Sequence, residues 1–585
     1  MSCEAASGLQ AVEGDLLAAN GELLDAALAA RVRDAEVSRV TCGPSAAGPP
    51  WIALAGEPLC DRDDPLAEAA AWARKAGEEL VGTDLAVVFG LGLGYHLEAL
   101  RRLTDVPLVV LEPSLEVQQV ALSTRRFDLQ GLRIVQSLTD LRDHLAGRLK
   151  TKETIRVLSW TAHGRVFPTV AACIGEAVRR GFEMAFITSN TLRSTLPTWT
   201  RNVIRNLPTL VGRVPACALE GGLRRRAAVI VAAGPSLDKN VHLLRRYRDR
   251  VTVFGVNTSV GALERAGVRA DFVVSVERVD TSSMFEGHEL NRSSAKLLDI
   301  VVNPAVHRLN EGPVLPFVDS LAFFAPLGAR VGLGEGIVPG GSVANTAFNL
   351  CRMMGADPIV LIGQDLAYTA GRAYAKGTLF EEMGADVRDG IAHFERLESK
   401  RAVCASMGIE PHVAARAIPV EGWGGGTVWT TADFNYFRTS FESEALAAEG
   451  VTLINATEGG ARIAGFEERR LLELLEELEP RAALKLPDAP RVDGEVVQRV
   501  LENELRAAAQ VAREARVAAQ LGTAAALNAV RGRIHHAFLA FANAWPALRA
   551  HDRAEEPAAP SALAKTIEER AVEVADEIVA ALTVL

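Results

Sequence analysis

A β-branched apolar run, Val229-Ile230-Val231-Ala232-Ala233, stops abruptly at Gly234-Pro235-Ser236 and gives way to a helix-like segment from Leu237 to Arg248. A short hydrophobic strand, a glycine–proline turn and a helix start together spell the strand–turn–helix unit of an α/β protein. The unpaired N–H groups of such a first helical turn face whatever lies above it. The helix dipole favours a negative charge there by roughly 0.3–1 kcal/mol. An ordinary βα loop in which Ser236 merely caps the helix has the same sequence form, so the turn by itself leaves both readings open.

The unit recurs between Ala227 and Thr457. Strands are expected at Val229–Ala233, Val251–Val256, Phe272–Val276, Leu297–Val302 and Ile359–Ile362, separated by helical patterns such as Gly261–Ala266 and Val343–Met354. Near-continuous apolar strands are buried on both faces, which calls for a parallel sheet covered by helices, with ligands at the carboxyl ends of its strands. Upstream, the strand Leu85–Phe89 runs into Gly90-Leu91-Gly92-Leu93-Gly94 and a helix, and the next strand, from Leu108, reaches Glu112. That is the form of a nucleotide or S-adenosylmethionine site, but Tyr95 stands where the dinucleotide fingerprint has its third glycine. A Rossmann-like half-fold kept as scaffold is the preferred reading.

Beyond Gly465 the composition shifts to Ala, Leu, Glu and Arg, and residues 466–480 and 492–585 read as helical throughout. A chain of 585 residues exceeds one core. The expected divisions are an N-terminal helical and hairpin region (1–78), a Rossmann-like N-terminal domain (79–220), a central parallel α/β domain (221–458) and a C-terminal helical domain (459–585).

The net charge of −10 argues against an extended nucleic-acid surface. The seven cysteines are scattered and never form a CxxC pair, which suits neither a disulfide framework nor a zinc site. No apolar run approaches the roughly 20 residues of a membrane span, and nothing at the N-terminus has the form of a signal peptide, so the cytoplasm is the expected location.

If the central sheet is parallel, four segments converge at its strand ends: Gly234-Pro235-Ser236, Gly255-Val256-Asn257-Thr258, Val338-Pro339-Gly340-Gly341-Ser342, and Gly363-Gln364-Asp365 with Tyr368 and Tyr374 beyond. They offer two helix starts, the amide of Asn257 and several hydroxyls, a set that suits a phosphorylated ligand better than an apolar one.

The stretches AAGPSLDKN, FGVNTS, PGGSVANTAFNLCRMMGADPIVLIGQDLAYTAGRAY and INATEGGARIAG resemble the motility-associated factor (Maf) family, flagellin glycosyltransferases, over nearly the whole chain. From about Ala227 to Tyr374 the chain also resembles, more weakly, bacterial sialyltransferases. The resemblance implies transfer of a pseudaminic- or legionaminic-type nonulosonic acid from a CMP-activated donor to Ser or Thr of flagellin, as flagellum assembly requires, with no cofactor needed and a divalent metal tolerated. It places Gly234, Pro235 and Ser236 against the cytidine monophosphate, Asn257 on the cytosine or sugar-phosphate side, and Gly341 and Ser342 on the nucleotide from the facing helix. Gln364 and Tyr368 complete the donor site. Tyr374 would hydrogen-bond the departing phosphate, and Asp365 joins it as a catalytic candidate.

The sialyltransferase base is a histidine, and the matching stretch from Glu421 has none, so the acceptor's general base stays open among Asp365, Glu421, Asp433, His393 and His412. Glu277 and Asp280 form an acidic pair suited to a metal, a sugar hydroxyl or plain solvation. Two alternatives stand beside the glycosyltransferase. Hydroxymethylpterin pyrophosphokinases resemble the same central region and would use ATP and Mg²⁺ through carboxylates such as Glu277, Asp280 and Asp365. A non-catalytic flagellin-binding scaffold is the other.

Overall fold

Alternation of apolar strands with helices produces two compact units in the computed structural model, Met1–Leu192 and Arg193–Leu585. The structure describes residues 16–20, 23–127, 131–148, 154–309, 312–319, 324–338, 340–369, 371–405, 410–448, 450–534, 537–553 and 558–585. Pro339, one of the strand-end residues above, lies outside them.

The first unit begins with a small antiparallel sheet of β1 (Val40–Pro44), β2 (Pro50–Leu54) and β3 (Glu57–Pro58). A four-stranded sheet follows, made of β4 (Leu85–Phe89), β5 (Leu108–Leu111), β6 (Leu132–Val135) and β7 (Ile155–Ser159). Its order is β6-β5-β4-β7 and every pair is parallel.

In the second unit come β8 (Ala227–Val231), β9 (Val251–Val256), β10 (Phe272–Ser275), β11 (Ala295–Asp299), β12 (Val314–Phe317) and β13 (Ile359–Ile362). Two small antiparallel sheets are inserted next: β14 (Gly384–Arg388), β15 (Ile391–Glu395) and β16 (Ala414–Arg416), then the hairpin β17 (Ile418–Glu421) and β18 (Thr427–Thr430). With β19 (Leu453–Asn455) and β20 (Glu467–Glu468) the chain completes an eight-stranded sheet, ordered β12-β11-β10-β9-β8-β13-β19-β20 and parallel throughout.

The two-residue period of each strand sends alternate side chains into two cores. Ile230, Phe254, Phe272 and Leu297 meet the helix Val343–Met353 on one face, while Val229, Val231, Val253 and Val273 pack with Leu237 and Leu263 on the other. Each such fully buried side chain contributes roughly 1.5–3 kcal/mol. The C-terminal helices Gly494–Leu521 and Pro560–Leu582 bury apolar stripes (Val497, Leu501, Ala508 and Ile567, Ala571, Val574) and are bridged by Arg516 and Glu568 at 2.6 Å.

Three local expectations need correction. Leu237–Arg248 is two one-turn helices, Leu237–Asn240 and Leu243–Arg246. Asn240 spends its amide on Ala456 O and Glu458 Oε1 (2.9 and 3.1 Å), a tertiary bond in the place of helical continuation. Residues 466–480 are not helical throughout, because Glu467–Glu468 pairs with Ile454–Asn455 as an edge strand before the helix Leu471–Glu477. The sequence reading passed over β12, whose Pro316 argues against a strand interior. It stands at the sheet edge, where a missing N–H is tolerated.

Candidate functional site

The order of the eight-stranded sheet reverses at β8. From β8 the chain steps outward through β9 to β12, then returns to lay β13 on the opposite side of β8. The loops leaving β8 and β13 therefore part in opposite directions, and a crevice at their carboxyl ends is the place where such sheets take ligands.

Gly234-Pro235-Ser236 and Gly363-Gln364-Asp365 face each other across this point. Gly234 N donates to Gly363 O at 2.8 Å. Ser236 Oγ donates to Asp365 Oδ1 at 2.5 Å, and Ser236 N lies 3.2 and 3.3 Å from the same carboxyl group. A Cβ at residue 234 would overlap both Asp365 Oδ1 and Gly363 O, so the pairing requires glycine there. Burial pushes the Asp365 carboxyl up to about 6, against the opposing pull of the Ser236 hydrogen bonds and the Lys239 ammonium.

The amide and hydroxyl of Ser236 are already held by the chain's own carboxyl group, and the helix behind them is a single turn. A phosphate at this crevice must share it with Asp365, either protonated or screened by a cation.

A strap crosses the ends of β8 and β9. Ala375 N donates to Ala233 O at 2.8 Å, Lys376 N to Asp238 Oδ1 at 2.9 Å, and Arg372 pairs with Asp238 at 2.8 Å. Gly377 lies so close to Gly261 that a Cβ on Gly261 would overlap Gly377 O. Tyr374, half-buried on this strap next to Ala375, has its ring 5.1 Å from that of Phe380. Tyr368 is held differently: its hydroxyl bonds Thr431 Oγ1 at 3.1 Å, and burial pushes the phenol up to about 12.

Asn257 follows β9 in a short 3₁₀ turn, with its amide N–H directed at the Met284 sulfur (3.7 Å). Neither Asn257 Oδ1 nor Gln364 Oε1 has a hydrogen-bond partner among the described residues. Gly341 and Ser342 sit in another network. Ser342 caps the helix Val343–Met353, and its hydroxyl is 2.6 Å from Asn345 Oδ1. Asn345 and Asn349 each donate to Glu444 at 3.0 Å, whose carboxyl burial pushes up to about 7. The structure thus brings Gly234, Pro235, Ser236, Gln364 and Asp365 together, carries Tyr374 on the strap bonded to Ala233, and ties Gly341 and Ser342 to the Asn345–Glu444 pair.

Among the candidate bases only Asp365 lies at the crevice floor. Glu421 is exposed and paired with Arg462 at 2.9 Å; Asp433, His393 and His412 are exposed. Asp280 closes a turn on Ser282 N (2.9 Å), whereas Glu277 is half-buried, its carboxyl raised by desolvation. Among the described residues no three His, Cys, Asp or Glu side chains gather as a metal site, and no helix is long and apolar enough to cross a membrane.

Sequence reasoning missed Ser275 and Thr281, both buried beside Asn257's strand end. The signal was present: Ser275 closes the run Phe272-Val273-Val274 as Asn257 closes the run before it.

In the first unit the glycine turn is already filled. Glu112 is fully buried and accepts from Leu91 N (3.0 Å), Ser114 N (3.0 Å) and His163 Nε2 (2.7 Å). His163 packs where a Cβ on Gly90 (φ +110°) would fall. His96 bonds Gly90 O at 3.0 Å and stacks on Trp160 at 4.2 Å. The acidic residue that a nucleotide ribose would need is therefore committed to the protein.

The family model of 6-hydroxymethylpterin diphosphokinase MptE-like proteins matches residues 201–371, the stretch that carries β8 to β13 and the crevice. Two uncharacterized proteins of Treponema pallidum (strain Nichols) are similar. One is 29% identical over 218 residues, 32% of this chain and 53% of that protein; the other is 30% identical over 79 residues, 14% and 37%. The chain spans about half the length of the first and about a third of the second. A solved structure, that of a MAf glycosyltransferase from Magnetospirillum magneticum AMB-1, is a distant likeness: TM-score 0.49 and 16% identity, over 97% of this chain and 92% of that one.

Proposed function

We propose that this protein is a transferase that takes a nucleotide-activated donor in the crevice between β8 and β13. The observation that carries the reading is the Ser236–Asp365 pair, closed across the point where the strand order reverses. Gln364 precedes Asp365 in the same loop.

The family match over residues 201–371 favours diphosphoryl transfer from ATP to a hydroxymethyl group as the reaction. A buried carboxyl group against the turn suits this donor, because it repels a bare phosphate but is a hard oxygen ligand for the divalent cation that ATP brings. Asp365 would hold that cation, with Glu277 as a further candidate; the ion would neutralise charge on the transferring phosphates. This chain's own groups would do the rest: Ser236 positions the nucleotide, AMP departs as the acceptor's hydroxymethyl oxygen bonds to the transferred diphosphoryl group, and Asp365, engaged by the cation, leaves the acceptor's proton to another group.

A second reading, transfer of a nonulosonic acid from a CMP donor to Ser or Thr of flagellin by a Rossmann-like and sialyltransferase-like enzyme of the cytoplasm, is favoured by Tyr374. A phenol carried on the strap bonded to Ala233 would donate to a departing phosphate, as glycosyl transfer requires. The large regions outside residues 201–371, which a small-molecule kinase has little need of, would then dock the protein acceptor.

Titration of ATP with and without Mg²⁺, and of CMP, against the full chain and its Ser236→Ala and Asp365→Asn variants tests both. Mg²⁺-dependent ATP binding lost in Asp365→Asn supports diphosphoryl transfer, and metal-independent CMP binding weakened in Ser236→Ala supports glycosyl transfer. Binding of neither nucleotide would refute the transferase reading.

A further inference from the structure

The crevice does not end at the nucleotide turn. β9 and β10 are paired up to Val256 opposite Val274, so Asn257, which opens the 3₁₀ turn after β9, and Ser275, which ends β10, follow directly on that paired position. Both are buried, at 1% and 0% exposure, and Thr281 in the following loop is 2% exposed. Asn257 Oδ1, Ser275 Oγ and Thr281 Oγ1 all lack a hydrogen-bond partner among the described residues. Thr281 is tied to Asn257 through Met284, whose N–H donates to Thr281 O at 2.9 Å and whose sulfur receives the Asn257 amide, and leaving each such oxygen buried and unpaired costs about 1–3 kcal/mol.

We propose that these atoms form a second subsite, which takes the hydrogen-bond-donating face of a neutral polar group: ring N–H and amino groups of a heterocycle, or the hydroxyls of a sugar. The inference rests on the transferase reading and describes what the crevice holds beyond the nucleotide: the acceptor heterocycle in diphosphoryl transfer, or the donor's sugar in glycosyl transfer. The chemistry follows from the atoms offered. An amide oxygen accepts only, the two hydroxyls can accept, and Glu277, two residues beyond Ser275, presents a further carboxyl group at the half-buried rim. N–H and O–H donors match these three oxygens, while the Glu277 carboxyl lies beside the cations of Arg278 and Lys400. β8 and β9 are neighbours in the sheet, so the subsite at the end of β9 and β10 lies beside the strand that leads into Gly234, and the strap meets Gly261, four residues beyond Asn257.

The test is calorimetric binding to the full chain and to a Ser275→Ala/Thr281→Val double variant, with ATP, CMP, 6-hydroxymethylpterin and CMP-N-acetylneuraminate as probes. The double variant is expected to weaken either the pterin or the CMP-sugar about tenfold, while ATP and CMP alone change less than about twofold. Loss of the pterin assigns the subsite to a heterocycle, and loss confined to the CMP-sugar assigns it to the sugar. Thr281→Ser should restore part of the loss. If nucleotides bind but neither larger probe binds, or neither is weakened, the subsite is refuted and the donor crevice stands. If no nucleotide binds, the transferase reading falls, and the subsite falls with it unless the pterin alone shows the tenfold loss. Removing a hydroxyl that lacks a partner should leave the unfolding midpoint of Ser275→Ala unchanged or higher; a marked drop would show that the fold uses it and would also refute the subsite.

Discussion

Replacing Asp365 by Asn should change stability in a way that depends on pH. Burial raises this carboxyl from 3.8 to about 6. An acid whose folded value is raised binds more protons folded than unfolded between those limits, so stability falls as pH climbs through the window from about 4 to about 6, and the cost is complete above it. The shift is about two units at 1.36 kcal/mol each, or about 3 kcal/mol of native-state cost at pH 8 that is absent at pH 3.5. Asparagine keeps an oxygen for the Ser236 hydroxyl and cannot ionise, so it removes the pH-dependent part alone. The stability gap between variant and wild type should therefore move by about 3 kcal/mol in favour of the variant between pH 3.5 and pH 8, whatever the substitution costs in itself. Amide exchange in the peptide spanning β13, compared between variant and wild type at each pH, reads this gap locally and cancels the intrinsic pH dependence of exchange. A gap that stays flat within about 0.5 kcal/mol, or moves the other way, would refute the argument that this carboxyl is held buried and raised by the crevice.

Ser236→Ala removes a hydrogen bond that holds the Asp365 carboxyl down, so the midpoint of any Asp365-dependent binding or rate should move above 6; a midpoint that stays or falls would count against their pairing. Gly340→Ala would drive a methyl group into Glu444 Oε1 and the Asn345 side chain, and should lower the unfolding midpoint by an amount equivalent to about 1–3 kcal/mol. In the first unit, Glu112→Ala strands the donors of Leu91, Ser114 and His163 and should cost at least about 3 kcal/mol, read as early melting. Because Glu112 and His163 fill the glycine turn, S-adenosylmethionine should give no heat on titration into the full chain; saturable binding would overturn the scaffold reading of that turn.

What the sequence made legible was what short-range periodicity encodes. The apolar runs at Val251–Val256 and Ile359–Ile362 became strands over those same residues, because a strand buried on both faces has one composition from end to end. Where the outcome depended on partners distant in the chain, local pattern misled. Glu467–Glu468 reads as the start of a helix and is a strand only because β19 lies beside it, and Pro316 hides a strand whose edge position no local window reveals. The site divides the same way. That Gly234 begins a turn is written in the turn; that it must be glycine because Asp365, 131 residues later, leaves no room for a Cβ is a property of sheet order. The reversal at β8 turns two unremarkable loops into one crevice and converts an apparent anion cradle into a carboxyl–hydroxyl pair. Any donor bound there must therefore be chosen by how it answers the charge of Asp365, and the metal dependence of nucleotide binding separates phosphoryl from glycosyl transfer more sharply than any motif along the chain.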